Sequence, residues 1–230
     1  EKSKLIIYAD MMSQPVRAVV SFCKLNKIPY FIENIYINKG ANRTKEYLKI
    51  NPHGTVPAIK LIEPNGEEFI LYESASILRF LSAKYETPDH WYNRTDLKRR
   101  GKIDQYLGWH SENTRPAFAW TFSNTYVFPI MQKAGIPWMK LPLSEDKLPR
   151  TIKYLNSELE KHDYIIDNKI SIADLMLYHE MVQLFPIGFD YSAYPSVSKY
   201  IQMIGEMSEI KEASSVLNKI CEKNNARPKF

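Results

Sequence analysis

The chain has 230 residues, 44% of them hydrophobic and 25% charged, which is enough for a sizeable core in one domain or two small ones. No apolar run approaches the ~20 residues of a membrane-spanning helix, and no charged-then-apolar leader opens the sequence. The formal net charge of +5 is modest and its basic residues are not interleaved with stacking aromatics, so neither membrane insertion nor nucleic-acid binding is expected.

The first third alternates in kind. "KLIIYAD" is a short apolar run suited to a buried strand, and Pro15 to Asn26 repeats apolar residues as an amphipathic helix does. Ser13 stands just ahead of that helix. Ser before a first turn that contains Pro is an ordinary helix start, and these residues leave open whether its hydroxyl also donates to an anion. "YFIENIYI" is β-branched and aromatic and predicts a second strand. A short helix from Thr44 to Ile50 is stopped at Asn51-Pro52, because the residue before a proline is pushed out of the helical region. In "TVPAIKLIEPNGEEFILYE" two apolar runs flank Asn65-Gly66, which predicts a hairpin with both of those residues at positive φ. "SASILRFLSAKY" then places Ile77, Leu78 and Leu81 on one helical face.

The order β-α-β-α-β-β-α ends near Lys84 and describes a small mixed sheet covered by helices. Residues 85–94 lack periodicity and carry a Pro, as a linker does. Residues 95–230 show no strand pattern; amphipathic segments run from Asp96 to about Trp120, Ser144 to His162, Ile172 to Leu184 and Ser196 to Met207. The expected fold class is therefore α/β followed by an all-α domain. Ser171-Ile172-Ala173-Asp174 is a capping pattern, which makes Asp174 structural. The basic cluster "LKRRGK", Leu97 to Lys102, reads as a solvated helix face. Cys23 and Cys221 have no CxxC context and are expected to be free thiols, and the five histidines show no metal-ligand spacing, so no metal is expected.

"SQPVRA", "GTVPAI", "YESASILRFL", "KYETPDHWY" and "ISIADLM", in this order and at these intervals, make the chain resemble the glutathione S-transferase family, and its theta class most closely, from Leu5 to about Leu217. The resemblance implies a thioredoxin-like first domain, a helical-bundle second domain and glutathione as co-substrate. It implies that Ser13 donates its hydroxyl to the thiol sulfur and stabilises the thiolate at a helix N-terminus, where an anion is favoured. Val56-Pro57 corresponds to a cis step beside the cysteinyl part of the tripeptide, and Glu73 and Ser74 to the site of its γ-glutamyl carboxylate. Gln14 is expected to reach the ligand, and Arg43 to face the glycine carboxylate. Asn42 and Thr55 stand where theta proteins carry His and Lys, which is expected to weaken affinity. "GWHSENTRPAF" maps Glu112 onto an acid that reaches the ligand of a second subunit and Arg115 onto a basic residue of the electrophile pocket, with Met12 and Trp120 as further lining.

The resemblance also implies a cytoplasmic, homodimeric glutathione transferase acting on hydrophobic electrophiles, with peroxidase chemistry open to the same thiolate. The rival reading is a catalytically reduced homologue serving as a binding or structural subunit of a larger assembly, favoured by Asn42 and Thr55. The sequence opens on Glu1 rather than Met, which is compatible with a removed organellar leader. Only "CEKNNARPKF" comes after the last expected helix, so the long C-terminal cover of some theta proteins is expected to be missing and the pocket more open.

Overall fold

Leu5, Ile7 and Ala9 alternate inward along β1 (Lys4–Ala9) and are buried, the period of two that a half-covered strand shows. These elements belong to a computed structural model that describes residues 3–226 and 228–230. α1 (Gln14–Leu25) comes next, with Pro15 in its first turn. β2 (Phe31–Asn34) lies parallel to β1 and is half as long as the expected second strand. Its end has a local cause: Asp10 Oδ2 accepts the Ile37 N–H at 3.1 Å, and the chain coils into 3-10 turns at Ile37–Lys39 and Ala41–Arg43. α2 (Lys45–Ile50) is capped by Thr44, whose hydroxyl accepts the Tyr47 N–H at 3.3 Å.

β3 (Ala58–Ile62) pairs antiparallel with β1, and β4 (Glu68–Tyr72) antiparallel with β3, giving the order β2-β1-β3-β4. The hairpin forms, but its turn corrects the expectation. Only Gly66 takes positive φ, +85°, while the Asn65 side chain accepts the Glu67 N–H at 3.0 Å. Glu63 N–H bonds Glu67 C=O at 2.9 Å and closes a three-residue loop with glycine in the left-handed position. α3 (Ser74–Lys84) completes the thioredoxin-like half, its Ile77, Leu78 and Leu81 fully buried.

The stretch after α3 is packed. Trp91 is buried edge-on against Phe22 of α1, ring centroids 5.5 Å apart, and its carbonyl accepts the Ile172 N–H at 3.0 Å. α4 (Leu97–Glu112) starts at Asp96, whose side chain accepts the Arg99 N–H at 3.0 Å. The basic cluster on it is not wholly solvated: Arg99 Nε donates to Asp167 at 2.6 Å and Nη2 to the Lys169 carbonyl at 2.8 Å. α4 stops eight residues short of Trp120, and π-helical turns take over at Pro116–Trp120 and Ser123–Val127. Pro116 has no N–H to continue the ladder.

The helical half continues through α5 (Phe128–Lys133), α6 (Lys147–Leu159), α7 (Ile172–Met181), α8 (Pro195–Gly205), α9 (Ser208–Ala213) and α10 (Ser215–Lys223), α7 running on into a 3-10 segment at Val182–Ile187. α7 is buried at every position, as a helix enclosed on all sides must be. It packs along α1 and so joins the two halves. At its start Asp174 is fully buried and accepts the N–H groups of Ser171 and Ile165, each at 2.8 Å, the structural role expected for it. Among the described residues no helix is long and apolar enough to cross a membrane.

Candidate active site

Two helix N-termini of the first half present unpaired N–H groups and the positive end of a dipole, the setting in which an anion is favoured. Ser13 precedes α1 in extended conformation; its carbonyl accepts the Arg17 N–H at 3.1 Å and its own N–H donates to Asp10 C=O at 2.8 Å. Its hydroxyl makes no capping bond, so the side chain is left for something else. At α3 the first helical bond runs from Ile77 N–H to Glu73 C=O, 2.9 Å, which leaves Ser74, Ala75 and Ser76 N–H without helical acceptors. Glu73 holds φ +71° and ψ 107°, a region costly for any residue with a Cβ. Glu73→Gly is therefore expected to raise stability by about 1 kcal/mol, net of glycine's entropy cost, read as a higher urea midpoint.

Between the two halves lies a cavity of about 180 Å³. From the first half Pro15, Thr55, Val56, Pro57, Glu73 and Ser74 line it; from the second, Leu107, His110, Ser111, Arg115 and Met176. The Val56-Pro57 peptide is cis. Thus Thr55, Val56, Pro57, Glu73, Ser74 and Arg115 come together on one cavity, with Ser13 two residues from its Pro15 wall.

Other expected residues sit elsewhere. Gln14 is buried and turned inward, its Nε2 donating to Glu180 Oε2 at 3.0 Å, so its amide is spent inside the protein. Asn42 is buried and donates to the Gly54 carbonyl at 2.8 Å. The Thr55 hydroxyl accepts from Asn51 Nδ2 at 3.0 Å, and its carbonyl accepts from Tyr47 Oη at 2.6 Å. Both departures from the theta pattern therefore shape the loop ahead of Val56. Arg43 is exposed and spends one donor on the His53 carbonyl at 3.2 Å. Met12 packs against the core, Glu112 is exposed at the end of α4, and Trp120 lies in the π-helical turn; none of the three lines the cavity.

Neither Glu180 nor the cavity-lining His110 was singled out from the sequence. Glu180 of α7 is fully buried; its Oε1 accepts from Arg115 Nη1 at 2.6 Å, and His110 Nε2 lies 3.8 Å away. Burial raises the Glu180 carboxyl above its usual range, while Arg115, Arg17 and Gln14 oppose the rise. His110 is pushed down to about 3, by burial first and Arg115 second, so it stays neutral near pH 7. For Glu180 a signal was present: "ADLMLYHEMV" carries this acid on a helix with no polar face. Among the described residues no three His, Cys, Asp or Glu side chains are grouped to hold a metal, and Cys23, buried, has its thiol pushed up to about 12.

Comparison with known proteins fits this geometry. The family described as "Glutathione S-transferase, N-terminal domain" matches residues 13–84, and "Glutathione S-transferase, C-terminal domain" matches residues 132–213. The chain is 33% identical to glutathione S-transferase theta-2 of Homo sapiens over 187 residues, 81% of this chain and 74% of that protein. It is 32% identical to glutathione S-transferase theta-3 of Mus musculus over 220 residues, 94% and 89% of the two. Human glutathione transferase theta-2, solved in complex with glutathione and an unknown ligand, superposes with a TM-score of 0.78 at 30% identity, covering 97% of this chain and 93% of that one. A human theta-class enzyme in complex with the glutathione conjugate of 1-menaphthyl sulfate gives 0.77 at 29%, covering 98% and 93%. The chain belongs to the glutathione S-transferase family, among its theta-class members.

Proposed function

We propose that this chain is a glutathione transferase in which Ser13 holds the sulfur of glutathione as a thiolate. The observation that carries this is the Ser13 hydroxyl, uncommitted to its own helix, at a positive helix end beside a cavity that gathers Val56, Pro57, Glu73 and Ser74. A free thiol has a pKa of about 8.5, and each unit by which the site lowers it is worth ~1.4 kcal/mol of preference for the anion. The Ser74 end of α3 takes the γ-glutamyl carboxylate, Val56 lies along the cysteinyl part, and Arg43 approaches the glycine carboxylate with its remaining donors.

The wall from the second half takes the electrophile. Leu107 and Met176 offer apolar surface and Arg115 a cation there. The thiolate attacks an electrophilic carbon, the carbon–sulfur bond forms as the leaving group departs with its electron pair, and the thiol proton has already gone to solvent. Ser13 donates a hydrogen bond throughout and is not itself a nucleophile. An organic peroxide in the same place would be attacked at oxygen: the O–O bond breaks, the alcohol leaves, and a second glutathione reduces the resulting sulfenic acid to the disulfide with loss of water, which is the route to peroxidase activity. The proposal extends to a cytoplasmic location and to a homodimer, the latter supported by exposed Phe69 at the β4 edge, tilted against Phe80 with ring centroids 4.9 Å apart, and checked by sedimentation equilibrium. Calorimetric titration with glutathione, with conjugation of an aryl halide followed in parallel, tests the function. Saturable uptake with turnover is expected; no uptake and no turnover would end this reading.

A further inference from the structure

Arg17, one turn into α1, is completely buried, yet its four hydrogen bonds all go to neutral oxygens. Nη1 donates to the carbonyls of Met11 at 3.1 Å and Met12 at 2.9 Å; Nη2 donates to the His179 carbonyl at 3.3 Å and to Gln183 Oε1 at 2.5 Å. Nε is buried with no partner. A guanidinium in this setting is expensive, and an apolar side chain of similar volume commonly serves a core as well or better. Packing alone does not call for the charge. What distinguishes the position is where it grips the chain: Met11 and Met12 are the two residues leading into Ser13.

We propose that Arg17 is a positioning residue for the reacting sulfur: it fixes the turn from which the Ser13 hydroxyl points, and its buried charge adds to the α1 terminus in favouring the sulfur anion. The inference rests on the reading that glutathione sulfur sits at Ser13. Water is excluded around Arg17, so its field is screened less than that of a surface cation. The titratable groups around it are Asp10 at the end of β1, Tyr178, His179 and Glu180 on α7, and Cys221 on α10. Burial keeps Tyr178, His179 and Cys221 neutral. Glu180, the acid that acts most strongly on it, is already engaged by Arg115 and Gln14. At the far end of α1, Lys24 pairs with Glu212 of α9.

Gln183→Glu separates charge from scaffold, because a carboxylate in contact with Nη2 would neutralise Arg17 while keeping its hold on Met11 and Met12. Thiolate absorbance of bound glutathione is titrated against pH for the wild type, Gln183→Glu, Arg17→Met and Arg17→Lys, with thermal unfolding beside each. Gln183→Glu is expected to raise the pKa of the bound thiol by about one unit without lowering the unfolding midpoint. Its kcat/KM should fall several-fold below neutrality and recover as pH rises. Arg17→Met should shift the thiol the same way where it folds, and Arg17→Lys should restore part of the difference. If the wild type binds glutathione with an acidified thiol and Gln183→Glu titrates identically, Arg17 is merely structural and the inference is overturned. If the wild type takes up no glutathione, the functional reading falls first and takes the inference with it.

Discussion

Ser13→Ala is expected to lower kcat/KM for conjugation by about 10²-fold near neutral pH, the usual loss when one preorganised donor to a developing or resting anion is removed. The same substitution should leave stability within about 0.5 kcal/mol of wild type, because the hydroxyl makes no cap bond to α1. Most N-cap replacements cost about 1 kcal/mol, so the combination of a large kinetic effect with a small thermodynamic one separates a functional serine from a cap. The loss should shrink at alkaline pH, where glutathione ionises without help. Steady-state kinetics across pH, with unfolding of the same preparations, reads both effects. A variant that is destabilised yet fully active would return Ser13 to an ordinary helix start.

Asp174→Ala is expected to cost about 3–5 kcal/mol, the largest stability effect foreseen for a single residue of this chain. It strips acceptors from the buried N–H groups of Ile165 and Ser171, 2.8 Å each, and from the Ser171 hydroxyl at 2.9 Å. Tyr200 Oη keeps the Asp174 main-chain carbonyl at 3.1 Å, so the damage concentrates at the start of α7. For a chain of this length each kcal/mol moves Tm by about 2–4 °C, which makes a fall of roughly 10 °C the expected reading by calorimetry.

The charge on Asp174 works against the fold. Burial pushes its carboxyl up to about 6, only partly opposed by the bonds from Ile165, Ser171 and Tyr200. A folded pKa above the unfolded value means that its contribution is fully present below about pH 4 and is lost as pH rises through 6, a loss of about 3 kcal/mol by pH 7. Buried His110 and His179, both shifted down, act with the opposite sign and mask this in the wild type alone. The difference in unfolding free energy between Asp174→Asn and wild type should therefore move in favour of the variant as pH goes from 4 to 7. A difference independent of pH would show that Asp174 is not charged and buried as described.

The legible part of the fold came from short-range pattern. Alternation along Leu5, Ile7 and Ala9 and the helical spacing of Ile77, Leu78 and Leu81 mark elements whose periodicity survives in a single strand or helix. The Asn65-Gly66 turn departs in detail from its expected form because the Asn65 side chain supplies a bond that a two-residue turn would have drawn from the backbone. The π-helical turns after Glu112 have no period of their own, and α9 and α10 are too short to announce a boundary. The cavity residues Val56, Pro57, Glu73 and Ser74 were located by the family resemblance; their local pattern alone reads as a strand-leading turn and a helix start. Gln14 could not be judged that way: its partner Glu180 lies 166 residues downstream. Arg17 meets Gln183 across a similar separation, and only the packing of α1 on α7 brings them together.

Half-ionisation of glutathione while bound, followed by thiolate absorbance as pH is raised, tests the central claim most directly. The bound thiol is expected to titrate at least about one unit below its free value of about 8.5 in the wild type, and to move back toward that value in Ser13→Ala, the α1 terminus and Arg17 retaining the remainder of the shift. A bound sulfur that titrates in the wild type as it does free in solution would contradict the account.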